Sequence, residues 1–140
     1  MLGVEDMDKK NKGFTLAELL VVVAIIAVLV AISIPIFRSQ LHKAQVATDM
    51  ANVRSYFAQL QHEYMETGKI DNSKLKEMGI KGESGLTSFE LSGAKVELKA
   101  GQLWIAPVGD NKGYNLLYIC DNYDCSLNLP EDKHIDKNNK

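Results

Sequence analysis

A single carboxylate, Glu18, interrupts an apolar run that extends from Phe14 to Phe37, and no Lys, Arg or His stands between Gly13 and Arg38. An ionisable residue placed inside a bilayer is costly, about 2.5–3.5 kcal/mol on insertion scales, so it marks a function and needs a named partner. The only nearby cation that the chain can supply is an α-amino group, which a cut after Gly13 would create on Phe14. Three other sets of residues have the types that chemistry uses. Cys120 and Cys125 stand five apart in CDNYDC, a spacing at which a disulfide can close a hairpin end if the Cα atoms lie near 5.5 Å. Two cysteines are too few for a structural zinc site by themselves. Asp110, Asn111, Asp121, Asn122 and Asp124 lie in two turns and offer oxygen atoms to calcium, but the EF-hand spacing is missing, and Asp and Asn in turns usually bond to the backbone. His42, His62 and His134 show neither metal nor catalytic spacing, and no Ser/His/Asp or paired-carboxylate arrangement is visible. No enzyme, cofactor or metal is expected.

The elements that must position these residues follow from hydropathy. From Leu19 to Phe37 there is no charge, and at 1.5 Å per residue this stretch spans about 28 Å, close to the hydrocarbon thickness of a bilayer. The leader ahead of it carries Lys9, Lys10 and Lys12 and no separate apolar segment, which disfavours an ordinary secretory signal and places the leader in the cytoplasm. Beyond Phe37, Val46, Met50, Val53, Phe57, Leu60 and Tyr64 recur at alternating steps of four and three, the stripe of an amphipathic helix. Lys43, Gln45, Thr48, Asp49, Asn52, Gln59 and Gln61 are assigned to its other faces, and Thr67-Gly68 is the stop. A helix from Phe14 to Thr67 would be about 80 Å long, more than a small head can bury. Its first half is therefore expected to protrude and its second half to pack. Pro35 removes one N–H from the ladder, and Ser33 can bond back to the backbone, so a kink or meltable turn is expected there.

After Gly68 the periodicity changes. Asn72–Gly79 reads as a short helix capped by Asn72 or Ser73, and residues 81–85 as a loop. Ala94, Val96 and Leu98 alternate with Lys95, Glu97 and Lys99. Ala100-Gly101 turns into residues 102–107, and a second turn at 109–113 leads to the strand-like run Tyr114–Cys120. Three or four antiparallel strands with one apolar face, covered by the helix stripe, make an α+β head. The organisation expected is a leader over 1–13, a membrane helix over 14–37, its amphipathic continuation over 38–67, a head over 68–129 and a flexible tail over 130–140. The net charge of −2, with dispersed basic residues, gives no case for direct nucleic-acid binding.

The segment KNKGFTLAEL, residues 10–19, followed by the long apolar run with its proline, resembles the processing signature of the type IV prepilin family. The resemblance covers about the first third of the chain. It implies cleavage after Gly13 by a prepilin peptidase, N-methylation of Phe14, and assembly of a homo-oligomeric helical filament through the N-terminal helix, with Thr15 and Glu18 at the assembly contact. Glu18 of an incoming subunit would pair with the Phe14 amine of a neighbour, favouring one axial offset because the pair is far cheaper to bury than either charge alone. The family's fold is a long helix whose second half packs on a small antiparallel sheet. Its partners are an assembly ATPase and a platform protein. Its location is the membrane as a single-pass protein before assembly, and the cell surface afterwards.

The chain departs from many Gram-negative pilins, whose two cysteines close a much longer loop. The alternative within the same signature is a pseudopilin of a type II secretion or competence system. A plain membrane anchor predicts no cleavage after Gly13. Fourteen Lys against two Arg, with many Asn and no long disulfide loop, suggest a low-GC Gram-positive source of clostridial type.

Overall fold

Every large apolar side chain from Leu16 to Phe37 is at least 46% exposed, although these residues lie in the longest regular element among the described residues. The structure, a computed structural model, describes residues 13–77, 84–110 and 112–131 and the backbone of 133–136. The leader up to Lys12, the end of the expected helix at Met78 and Gly79, the loop residues 81–83, Asn111 and the last four residues lie outside the described set. Helix α1 runs over Leu16–Thr67, with Pro35 inside it. It ends where Gly68 takes φ 64 and its N–H donates to Tyr64 O at 2.8 Å. The compact units divide between Ser39 and Gln40. Within the first, α1 is long and apolar enough to cross a membrane. Ser33 Oγ donates to Leu29 O at 2.8 Å, two residues before the proline.

The second unit is built on two antiparallel sheets. Strands β1 (Ser88–Leu91) and β2 (Ala94–Glu97) form a hairpin. Its two-residue turn has Ser92 at φ 53 and Gly93 at φ 82, the pair of left-handed residues that a type I′ turn requires. Strands β3 (Gly101–Pro107), β4 (Tyr114–Cys120), β5 (Cys125–Leu129) and β6 (Lys133–Asp136) form a meander in that order. With a period of two, alternate residues of β3, β4 and β5 turn to one face, and the register aligns them in rows: Leu103, Tyr118 and Leu127; Ile105, Leu116 and Leu129; Gly101 beside Cys120. This face joins Val46, Met50, Val53, Tyr56 and Leu60 of α1 in one core. The hairpin joins the same core through Phe89, whose ring stacks on Tyr56 at 4.4 Å between centroids.

The architecture is the expected α+β one, a long apolar N-terminal helix with small antiparallel sheets like those of a type IV pilin. Several details differ. There are six strands in two sheets rather than three or four. The expected helix at Asn72–Gly79 is a single 3-10 turn, Asn72–Lys74, capped by Asp71, whose carboxylate accepts from Ser73 N at 3.0 Å. It stops early because Lys76 leaves the turn to bond Ile105 in both directions, at 2.8 and 2.9 Å, along the outer edge of β3. Leu86 does the same with Leu103, so tertiary pairing takes over from local propensity. The expected flexible tail contains β6, because β5 presents an open edge to which four more residues can add their backbone groups. Ala94 is exposed and only Leu98 of its expected apolar row is buried, since the hairpin's far end projects from the core.

Two substitutions test the packing. Leu60→Ala, at a fully buried position, is expected to lower stability by about 2–5 kcal/mol. A Cβ at Gly101 would lie 2.5 Å from both Ile119 O and the Tyr118 ring, so Gly101→Ala forces the β3–β4 pair apart and is expected to destabilise by about 1–3 kcal/mol. Urea unfolding of the full chain in detergent, followed by the fluorescence of its one tryptophan, Trp104, measures both.

Candidate functional site

The residues of interest lie in two places, one in each unit. At the start of α1, Thr15 and Glu18 form a reciprocal cap. Glu18 Oε2 accepts from Thr15 N at 2.8 Å and from Thr15 Oγ1 at 3.0 Å, while Glu18 N donates to Thr15 Oγ1 at 3.3 Å. This is a capping box, Thr at the N-cap and Glu three residues on, and it satisfies two of the N–H groups that a helix start leaves without intrahelical partners. The Thr-x-x-Glu pattern is legible in the sequence as a cap, a function that the reading of Glu18 as an isolated acid overlooked. Both bonds fall on Oε2, and Oε1 has no partner among the described residues. Gly13 and Phe14 precede the helix in exposed chain outside any regular element, so the bond between them is accessible, and the carboxylate follows four residues after Phe14.

In the second unit the decisive polar residue is Asp49, which the sequence reading assigned to a solvent face and which is fully buried. Its Oδ1 and Oδ2 accept from Lys99 N, both at 2.9 Å; Oδ2 also accepts from Ala100 N at 2.8 Å and from Tyr118 Oη at 3.0 Å. A buried carboxylate persists only when its lone pairs are filled in this way. Asp49 lies three residues after Val46 and four before Val53, so it belongs to the apolar stripe by position. No sequence pattern announces the two amides and the phenol that receive it. Burial, and then the charge and hydrogen bond of Asp49, push the Tyr118 hydroxyl far above the ordinary tyrosine range.

The structure also pairs Cys120 with Cys125 across the β4–β5 turn, Cα atoms 5.6 Å apart, inside the range that a disulfide spans. Asp121, Asn122 and Asp124 are carried on that turn, whereas Asp110 belongs to the β3–β4 turn. Asn122 Nδ2 lies 3.3 Å from His42 Nε2, and His42 comes from α1. Among the described residues, no group of three candidate metal-binding side chains includes Asp110 or Asp121.

Residues 8–34 match the prokaryotic N-terminal methylation motif. The chain is 39% identical over 88 residues to the type IV major fimbrial protein FimA of Dichelobacter nodosus, an alignment covering 63% of this chain and 49% of the relative. It is 51% identical over 37 residues to the fimbrial protein EcpB of Eikenella corrodens (26% of this chain, 23% of the relative). It is 56% identical over 41 residues to the prepilin peptidase-dependent protein D of Escherichia coli (29% and 27%). The chain thus spans half or less of the length of these relatives. No solved structure matches it. The relatives lend no support to a low-GC Gram-positive source.

Asp49→Ala leaves three donors without their acceptor, two of them buried, and a loss of about 3 kcal/mol is expected in urea unfolding. Because folding raises the Tyr118 pKa, the native state holds this proton where the unfolded chain has released it. Stability is therefore complete below pH about 10 and falls as pH rises beyond it. Tyr118→Phe is expected to flatten that alkaline decline; an unchanged slope between pH 9 and 11 would contradict the assignment.

Proposed function

We propose that this chain is a structural subunit of a type IV pilus, processed after Gly13, N-methylated at Phe14 and assembled into a surface filament through α1. The observation that carries the reading is that the methylation motif contains both an accessible Gly13–Phe14 bond and, four residues after Phe14, the carboxylate of Glu18, at the head of a helix whose apolar side chains are exposed as far as Phe37. An apolar surface of that extent needs either lipid or other copies of itself. Before assembly, lipid surrounds it, and the Thr15–Glu18 cap satisfies helix-end donors where water is scarce. After cleavage, Phe14 carries an amine, and Oε1 of Glu18 is the acceptor left for the amine of a neighbouring subunit.

Burying the two charges together favours one axial offset between helices and disfavours the rest. Thr15 holds the carboxylate in place for that contact. Pro35 marks where the helix can yield as it leaves lipid for the filament. The domain scheme is a leader to Gly13, a membrane and filament-core helix to Phe37, its amphipathic continuation to Thr67, and a head presented outside the cell. In the oxidised filament, Cys120 and Cys125 are joined. A prepilin peptidase, an assembly ATPase and a platform protein are the partners that such a route requires, and the chain performs no catalysis of its own. The name of the Escherichia coli relative, a prepilin peptidase-dependent protein, supports the processing step.

Peptide mass spectrometry on filaments sheared from cells, set beside the membrane fraction, tests the proposal. An N-terminal peptide beginning at methylated Phe14 in the sheared material is expected. The same peptide confined to membranes would transfer the reading to a pseudopilin, and an intact leader in both fractions would refute processing. Glu18→Ala is expected to insert and be cleaved normally yet to cut filament incorporation by tenfold or more, about 1.4 kcal/mol; normal filaments from this variant would end the register argument.

A further inference from the structure

We infer that the dithiol form of the β4–β5 corner is a binding site for one zinc-class cation, held by His42, Cys120, Asp124 and Cys125. A ring nitrogen of His42, Cys120 Sγ and a carboxylate oxygen of Asp124 all lie within 4.8 Å of one another. Cys120 Sγ and Asp124 Oδ1 are 2.8 Å apart, and the Cys125 sulfur is brought to Cys120 by the same turn. That makes two sulfurs, one imidazole and one carboxylate, four donors of the kinds that zinc takes in a tetrahedron. Metal–ligand bonds of about 2.0–2.3 Å set ligand atoms roughly 3.3–3.8 Å apart in that geometry; His42, Cys120 and Asp124 stand within 4.8 Å of one another, and the Cys125 sulfur, outside that group, has to rotate toward it once the two sulfurs are separate. Calcium and magnesium are disfavoured because they require shells of oxygen.

Two features of the corner suit a metal. The Cys125 N–H donates to Cys120 Sγ at 3.0 Å, which fixes the place of that sulfur within the turn. Asn122 Nδ2, 3.3 Å from His42 Nε2, holds the imidazole against the turn. The Cys-x4-Cys spacing alone offers half a ligand set. The fold supplies the rest by laying α1 beside a turn about eighty residues further along the chain.

Cation binding displaces the two thiol protons and transfers no electrons. It excludes the disulfide, because a sulfur bonded to its partner has no thiolate to donate. The inference depends on the geometry of the second unit and not on filament formation.

The test is a titration of the full chain, in detergent and a phosphine reductant, with cobalt(II), followed by displacement with zinc. One equivalent is expected to produce thiolate-to-cobalt charge transfer and the intense visible bands of a tetrahedral site. His42→Ala and Asp124→Ala should each weaken binding on the order of tenfold or more, and Cys120→Ser should abolish it. Trp104 fluorescence reports whether each variant is folded, and His42→Gln replaces the alanine variant if that one unfolds. The air-oxidised chain should give no cobalt spectrum. No absorption from the reduced chain, a persistent spectrum after oxidation, or undiminished affinity in both the His42 and Asp124 variants would overturn the assignment.

Discussion

The second unit depends on covering one stripe of α1. Val46, Met50, Val53, Tyr56 and Leu60 cannot stay in water without losing the apolar burial that a head of this size needs, and the face of β3, β4 and β5 that receives them is itself too small to stand alone. Everything else in the head is arranged around that contact. The β1–β2 hairpin caps one side through Tyr56 and Phe89, and the chain around Lys76 and Leu86 closes the outer edge of β3. Asp49 supplies the directional element. Apolar packing tolerates sliding of a helix over a sheet, whereas a carboxylate shared by the Lys99 and Ala100 amides and the Tyr118 hydroxyl admits one position.

What the sequence disclosed divides along the same line. The membrane-length helix, its break at Gly68 and the apolar stripe were legible, because hydropathy and period are properties of consecutive residues. Strands β3 and β4 were legible for the same reason. Asp49 was misplaced because residue type was allowed to outrank position: it sits on the stripe, and only its three distant donors reveal why an acid can stay there. Strands β5 and β6 were missed because each is short and mixed in polarity, and β6 gains its order from a neighbouring edge rather than from its own composition. The helix expected after Asn72 failed in the same way, when Lys76 found backbone partners on β3 that local propensity does not register.

The N-terminal site was partly legible. The isolated acid drew attention to Glu18, and the need for a cation drew attention to Phe14, but the Thr15–Glu18 cap shows that the carboxylate already has one employment within its own helix. Both bonds to that carboxylate fall on Oε2. The cysteine corner was half legible: a spacing of five suggested a bond, while the approach of His42 depends on how α1 lies on the sheet.

The closed edge of β3 bears on how copies of this chain can associate. An open strand edge recruits other strands and leads toward cross-β fibres, which resist surfactants because every backbone group is bonded along the fibre axis. Here the chain's own backbone occupies that edge at Leu103 and Ile105, ahead of any neighbour. On that side of the sheet, strand addition by another copy would first have to displace the chain's own backbone.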